Sequence, residues 1–585
     1  MPACPVGGGH GCGAPRVDAA GATRPRIRRP VSTRRSSNLV AAGIFLSRIS
    51  GLLRERAISH FLGLSPAAEA FRVALRIPNL LQNLLGEGVL SASFIPVYSR
   101  LLAAGREREA GEVAGAIAGL LTALTGALVL VGITLAEPIV GLVTPGFSGQ
   151  QQQLTATLIR VTTPALGVLV LSAWCLGVLN SHRRFFLSYV APVVWNAAQI
   201  AALIAAAVVL TGGLSVEADP GLLTDLATAL AWGVLGGGVL QLAVQLPLVW
   251  RLTGGVWPSL RTGHAGVREA VGAFVPIVAA RGGVQLSAFL DVVLASLLAG
   301  AAVAALSAAQ VLYLLPISLF GMSMAAAELP ELSARQDDDA EALGQRVRFG
   351  LARIAFFVLP TAALFIAAGD HVVGAILQTG QFDLGDTLVV WAVLAGYALG
   401  LLAATASRLL QSALYAAGAA RVVARASLLR VALSAVVGAA LMLQLDRVAL
   451  TPQGLALAGD LPALGPLPAD RRAELEGAGR LGAVGLSLAA SAGLWLEYGL
   501  LRRAVAARLA TVRLGGGVLG RTAAATAVLV AVILALRPLV EGWHPLAAGA
   551  VVATGAGVAF LAAAWRLGLE EPRALVAAVV GRLRR

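Results

Sequence analysis

Runs of about twenty apolar residues, parted by short stretches rich in arginine, glycine and proline, recur from Asn38 to Arg566. As helix, a run of that length crosses a hydrocarbon layer of about 30 Å. The pattern predicts fourteen spans: 38–62, 67–101, 112–143, 154–180, 187–211, 222–250, 268–299, 303–333, 345–369, 386–416, 422–445, 481–505, 519–540 and 545–567. The expected fold class is an all-α polytopic membrane protein. Residues 1–37 read as a disordered basic tail and 568–585 as a second basic tail, both cytoplasmic. No small-residue cleavage site follows the first run and Arg48 interrupts it, so it reads as a retained helix and not a signal peptide.

Composition narrows the choice further. With 585 residues, 57% hydrophobic and only 13% charged, the chain carries more apolar surface than one soluble core could bury, which excludes a soluble enzyme. The net charge of +14 comes from 45 arginines scattered between the runs, not gathered into a basic domain, and so does not point to nucleic acid. Cys4 and Cys12 lie in the tail and Cys175 inside a span, which implies no disulfide framework. Cys4, His10 and Cys12 are too few and too loosely set for a metal site, and the six histidines are dispersed without ligand spacing. No phosphate loop, nucleotide motif or nucleophile elbow is found, so no cofactor is expected.

The loops fix the orientation. With the N-terminus cytoplasmic, that side holds 32 arginines, among them Arg100, Arg106, Arg108, Arg183, Arg184, Arg251, Arg421 and Arg502. The opposite side holds four, Arg447, Arg471, Arg472 and Arg480, all in one long loop at 446–480 that looks like a linker. The positive-inside rule then places both termini in the cytoplasm, and one missed or extra span would spoil the asymmetry. Nine arginines remain within spans: Arg48, Arg54, Arg56, Arg72, Arg76, Arg160, Arg281, Arg408 and Arg537. At roughly 2.5–3.5 kcal/mol each, exposing all nine to lipid would cost roughly 20–30 kcal/mol. Most must face a wet cavity, an acidic partner or the interface.

The chain also repeats. Pro96-Val97-Tyr98-Ser99 recurs as Pro330-Glu331-Leu332-Ser333, at an offset of 234. Glu137-Pro138-Ile139-Val140-Gly141 recurs as Asp370-His371-Val372-Val373-Gly374, and Ala165-Leu166-Gly167 as Ala398-Leu399-Gly400, both at 233. Three matches in one register predict two six-helix lobes as parallel repeats, at 38–250 and 268–505, followed by two C-terminal spans at 519–567. The offset sets Arg281 opposite Arg48 as a pair of cations suited to one anion.

The second span concentrates the polar residues. Glu69, Arg72, Arg76, Asn79, Asn83 and Glu87 are spaced three, four, three, four and four, which places them on one helical stripe. Such a stripe must line a polar cavity or pair with another. Pro78, Gly86 and Gly88 interrupt this span, and the first span adds Arg48, Arg54, Glu55 and Arg56 around Gly51, where a bend is expected. The seventh span offers Arg281, Gln285 and Asp291, and the eighth Ser307 and Gln310. Glu55 and Glu69 could simply neutralise Arg54, Arg72 and Arg76. Six cations against Glu55, Glu69, Glu87 and Asp291 still leave an excess of +2, and guanidinium forks suit a phosphate or pyrophosphate. Asp291 and Glu87 are candidate coupling carboxylates because they are acidic and intramembrane.

Ser47-Arg48-Ile49-Ser50-Gly51-Leu52-Leu53-Arg54-Glu55, Glu69-Ala70-Phe71, Ile77-Pro78-Asn79-Leu80-Leu81, Gly86-Glu87-Gly88 and Phe94-Ile95-Pro96 together resemble the N-terminal signature of the MurJ/MviN lipid II flippases, of the multidrug/oligosaccharidyl-lipid/polysaccharide exporter superfamily. The likeness continues through Leu179-Asn180-Ser181, Arg184-Phe185, Pro192, Asn196, Glu328 to Ser333 and Gly380-Gln381-Phe382. It implies a bacterial inner-membrane flippase working by alternating access on lipid II, the undecaprenyl-pyrophosphate-linked disaccharide pentapeptide, among membrane lipids and cell-wall synthesis proteins. The pyrophosphate and sugars would sit in the cationic cavity and the polyprenyl tail beside the last two spans. Arg48, Arg54 and Glu69 match family functional positions, with Glu55 where Asp is usual. Gln82-Asn83 stands where the family often has paired arginines, and Gln310-Val311 where many members have Asp-Arg. Rival readings are an exporter of another polyprenyl-pyrophosphate glycan or amphipathic compound, an integral-membrane glycan polymerase or glycosyltransferase, and a non-transporting paralogue. An enzyme of that kind calls for a catalytic outer loop, which 446–480 does not resemble.

Overall fold

The computed structural model describes residues 33–573 except 218, 256, 319–339, 452–453, 458–460, 464, 469–478 and 510–515. Its helices are α1 (Thr33–Leu62), α2 (Pro66–Leu85), α3 (Glu87–Ala103), α4 (Glu107–Thr134), α5 (Ala136–Val143), α6 (Gly149–Ser181), α7 (Phe185–Thr211), α8 (Pro220–Leu252) and α9 (Ala265–Ser296). They continue as α10 (Ala302–Pro316), α11 (Ala340–Leu377), α12 (Leu384–Ala398), α13 (Leu401–Ala416), α14 (Ala420–Leu445), α15 (Gly482–Leu509), α16 (Gly516–Leu536) and α17 (Pro545–Arg566). Among the described residues ten helices, counting α2–α3 as one, are long and apolar enough to cross a membrane. An eleventh is formed if α12 and α13, bent by 43°, are one broken span. The protein is thus an all-α polytopic membrane protein; thirteen of the fourteen expected spans coincide with a helix or a broken pair, and the expected span 303–333 coincides with α10 over its first part. The differences in count fall at charged α1, at α9 and at short α10, whose expected continuation lies outside the described residues.

The helix breaks have local causes. Pro78 cannot donate to the carbonyl of Ala74, yet α2 runs on through it, because the Thr162 hydroxyl of α6 donates to that carbonyl at 3.4 Å. The break comes about two turns later at Gly86, between α2 and α3. The bend expected at Gly51 does not break the helix: α1 is continuous from Thr33 to Leu62, with the Ser50 hydroxyl donating to the Ser47 carbonyl and accepting from the Asn196 amide of α7. In α11, Ala368 leaves helical geometry (φ −142°, ψ 26°) just before Asp370.

Packing divides among four buried apolar clusters. Two fill the N-terminal half, around α2, α6 and α8 and around α3, α4 and α6. The largest joins α10, α11, α12, α13 and α15. The fourth belongs to α16 and α17, which form a hairpin against α11, with the Phe356 and Phe560 rings 5.2 Å apart. Arg537, expected as an intramembrane cation, ends that hairpin's first helix and donates to the Asp370 carboxylate at 2.5 Å and the Ala367 carbonyl at 2.6 Å. Arg160 likewise meets Glu137 at 2.7 Å.

The 446–480 loop is not the linker its composition suggests. Its described residues form an antiparallel sheet in the order β2-β1-β3, from β1 (Val448–Thr451), β2 (Gly454–Leu457) and β3 (Gly479–Arg480). Arg480 is buried and donates to the Asp446 carbonyl at 3.1 Å, while the Asp446 carboxylate accepts from the Ala299 N–H at 3.1 Å. Backbone ladders and two buried polar groups hold what hydropathy alone reads as irregular.

Candidate functional site

The six-residue stripe of the second span divides into two parts. Its first turns are buried and used up by internal partners. Arg72 and Glu55 form an ion pair at 2.5 Å with side chains only 9% and 2% exposed. Glu69, also buried, accepts from the Gln151 amide at 3.1 Å and from the backbone N–H of Val303 at 2.8 Å. The matched Arg72–Glu55 charges and the hydrogen-bonded Glu69 carboxylate together tie α1, α2, α6 and α10 to one another. Beyond Arg76 the stripe opens: Asn79, Asn83 and Glu87 are exposed.

Arg48 and Arg54 supply the cations of α1. Arg48 is exposed and has no hydrogen-bond or ion-pair partner among the described residues. Arg54 is half-buried, donates one nitrogen to Asn196 Oδ1 at 3.2 Å and lies 5.3 Å from the Trp195 ring centre. Trp195 is itself fixed by its indole N–H on the Val234 carbonyl, 3.1 Å away. The guanidinium is therefore oriented by neutral hydrogen-bonding and aromatic groups. Asn196 was part of the sequence resemblance; that its role is to orient Arg54 emerges only from the α1–α7 packing.

Farther along α2, Arg76 donates to Gln310 Oε1 of α10 at 3.3 Å, and Gln310 donates to the Tyr397 hydroxyl of α12 at 3.0 Å. Tyr397 stacks on Tyr313 with ring centres 5.0 Å apart. Asp291 is exposed on α9. Arg281 and Gln285 fall on α9, but their side chains lie outside the described residues, so the pairing of Arg281 with Arg48 does too. Arg430 escaped the sequence argument: counted with the loop arginines, it sits ten residues inside α14.

One end of the bundle is shut by a seam between the halves. The helix α1 ends at Gly63 (φ +55°), and the α11–α12 turn passes through Gly380 (φ +56°), both left-handed. The Gln381 N–H donates to the His60 carbonyl at 2.9 Å, the His60 ring meets the Thr379 hydroxyl at 2.9 Å, and the Gln381 amide donates to the Val216 carbonyl. The Leu64 N–H donates to Asp386 at 3.3 Å. Arg56, expected to face a cavity or a partner, is engaged here as well, donating to the carbonyls of Ala375 and Ile376 at 3.0 and 2.8 Å. Glycine is required because a Cβ on Gly380 would lie 2.2 Å from the His60 carbonyl oxygen.

The chain is similar to known proteins over most of this architecture. The family model described as "Lipid II flippase MurJ" matches residues 58–461. A lipid II flippase MurJ of Burkholderia cenocepacia is 31% identical over 384 residues, which cover 64% of this chain and 72% of that protein. A probable lipid II flippase MurJ of Rhizobium tropici is 32% identical over 387 residues, 63% of this chain and 68% of that one. Among solved structures, a lipid II flippase MurJ in an inward closed conformation superposes with a TM-score of 0.68 at 18% identity, covering 90% of this chain and 98% of its own. An inward-facing multidrug resistance MATE family transporter of the MOP superfamily reaches 0.52 at 15% identity, covering 81% and 94%. These two likenesses are of fold. The family match over more than half the chain, joined to the 31% identity across most of a relative, shows that this chain belongs to the lipid II flippase MurJ family.

Proposed function

We propose that the chain is a transporter, not an enzyme, and that it moves lipid II across the bacterial cytoplasmic membrane. The observation that carries this reading is the unneutralised cation set of Arg48, Arg54 and Arg76, beside a Glu55–Arg72 pair that is already satisfied. A pyrophosphate is the natural complement, because two phosphates offer several oxygens to guanidinium forks and bring the negative charge this region lacks. The relatives named as lipid II flippases supply the identity of the lipid.

The closed seam and the arginine asymmetry together suggest the working direction. The seam lies at the end bearing the arginine-poor turns, and Arg100, Arg106, Arg108, Arg183 and Arg184 lie at the other. By the positive-inside rule the seam faces the outside, both termini face the cytoplasm, and the cationic region is loaded from within. Translocation then consists of opening the seam and closing the cytoplasmic end, with the 38–250 and 268–505 lobes moving about the site. The polyprenyl tail lies in lipid beside the α16–α17 hairpin, whose Trp543 and Trp565 are exposed near opposite ends as interfacial anchors.

The test is complementation. In a bacterium whose own lipid II flippase can be depleted, expression of this chain should restore growth and the outward appearance of lipid II. Absence of rescue by a chain that reaches the membrane would overturn the substrate assignment.

A further inference from the structure

The seam has a counterpart where the internal repeat puts one. In the N-terminal half, the α5–α6 turn passes Gly146 against the last residue of α9: a Cβ there would overlap the Ser296 carbonyl oxygen, and the Gly146 N–H donates to the Ser296 hydroxyl at 3.4 Å. In the other half, the α11–α12 turn passes Gly380 against His60 in the last turn of α1. Gly146 and Gly380 stand 234 residues apart, and each turn runs on to a buried phenylalanine, Phe147 or Phe382. The closed end is therefore two latches, each a turn of one half resting on the first helix of the other.

Each latch hangs from a short helical segment that begins at a break. Helix α4 stops at Leu135 (φ −101°, ψ 19°) before α5, and α11 breaks at Ala368 (φ −142°, ψ 26°), 233 residues further on. A helix that stops leaves its last carbonyls without intrahelical donors. In α11 side chains take three of them: the Trp391 indole N–H of α12 lies 3.2 Å from both the Phe365 and the Ile366 carbonyl, and Arg537 donates to the Ala367 carbonyl at 2.6 Å. With another nitrogen Arg537 holds Asp370, two residues past the break, whose carboxylate also lies 3.1 Å from the His371 ring. The Arg537 guanidinium and the Trp391 ring are themselves in contact, 5.9 Å from charge to ring centre, and Gly369 leaves room for the indole. The carboxylate at the equivalent place in the other half, Glu137, is held instead by Arg160 of α6, in an exposed pair within its own lobe. Beyond the break, residues 369–377 carry the Ala375 and Ile376 carbonyls that receive Arg56 of α1.

We propose that Trp391 and Arg537 are positioning residues of the outer gate: by capping the broken end of α11 they set the segment 369–377 so that its latch meets α1. Arg537 comes from the α16–α17 hairpin, outside the duplicated lobes, so one latch is braced by the added spans and the other by its own half. The inference rests on the outward-facing seam of the transport reading and names what holds one side of it shut.

The experiment is hydrogen exchange on the purified full-length protein in lipid nanodiscs, followed by mass over 136–147, 340–364 and 369–382. Trp391→Phe keeps the aromatic ring and removes the N–H, and Arg537→Lys keeps a charge beside Asp370 and removes the second donor. Each should speed exchange over 369–382 about tenfold and leave the other two segments unchanged. Gly369→Ala, which retains both donors and displaces the indole, should reproduce the effect of Trp391→Phe. Arg160→Gln should do the reverse, speeding 136–147 alone. Faster exchange in all three segments would make the two residues general stabilisers of the fold, and unchanged exchange over 369–382 would leave the latch without this brace; either result overturns the proposal. A cysteine at Leu64 separates it from the transport reading. In intact cells it should react with an impermeant reagent from outside, and faster in Trp391→Phe and Arg537→Lys than in the parent. Reaction only from the cytoplasmic side, with the local exchange pattern intact, would keep the brace and refute the outward seam.

Discussion

The carboxylate of Glu69 on α2 accepts the backbone N–H of Val303 at the start of α10, 2.8 Å away. A charge on one half of the chain thus caps a helix of the other, where the first N–H groups lack intrahelical partners. In Glu69→Ala the Val303 N–H and the Gln151 amide lose their acceptor. The contact between halves should weaken by about 1.5–3 kcal/mol, enough to raise the seam-open population tenfold or more. Thiol labelling of a cysteine at Leu64 with an impermeant reagent should accelerate accordingly; unchanged labelling would show that the contact does not hold the seam.

The Glu55–Arg72 pair behaves differently because both members are buried. Removing one partner leaves an uncompensated charge, which costs about 3–5 kcal/mol, whereas removing both is close to neutral. Glu55→Gln and Arg72→Gln should each lower the thermal unfolding midpoint in detergent, and Glu55→Leu/Arg72→Met should recover most of it. A double variant as unstable as the worse single one would mean the pair has other buried partners.

Gly380→Ala tests the seam by shape. The new methyl would sit 2.2 Å from the His60 carbonyl oxygen at a φ of +56°, and the left-handed conformation alone costs a non-glycine residue about 1–2 kcal/mol. Spin labels at Leu62 and Asp383 should report a longer distance distribution than in the parent. Transport should fall while headgroup binding persists, since no ligand contact is touched.

Orientation has its own test. Cysteines at Gln151 or Gly385, beside the seam, should react with an impermeant reagent applied from outside intact cells, and cysteines at Gly105 or Gly344 should not. The reverse pattern would invert the proposed direction of transport.

The spans were legible in the sequence because length and hydropathy are local properties, and a lipid layer demands both. The cations Arg48 and Arg54 were legible as well, since a signature and a cost argument agree on them. What α2 does with its stripe was not. Helical spacing places Glu69, Arg72, Asn79 and Asn83 on one face, but whether that face meets water or another helix depends on Glu55 and Val303, which come from elsewhere in the chain. Arg430 was missed for a related reason: near a predicted helix start, an arginine looks like a loop residue until the helix axis is placed. The 446–480 sheet has short strands amid glycine and proline, and its pairing is set by Asp446 and Arg480 at its two ends, a link no local pattern carries.

The hairpin of α16 and α17 is riveted to α11 by Arg537 on Asp370 and by the Phe356–Phe560 contact. It is cargo of that helix. These contacts couple the hairpin to α11, so under the proposed function a polyprenyl tail lying along the hairpin would travel with that wall of the cavity while the headgroup changes its exposure.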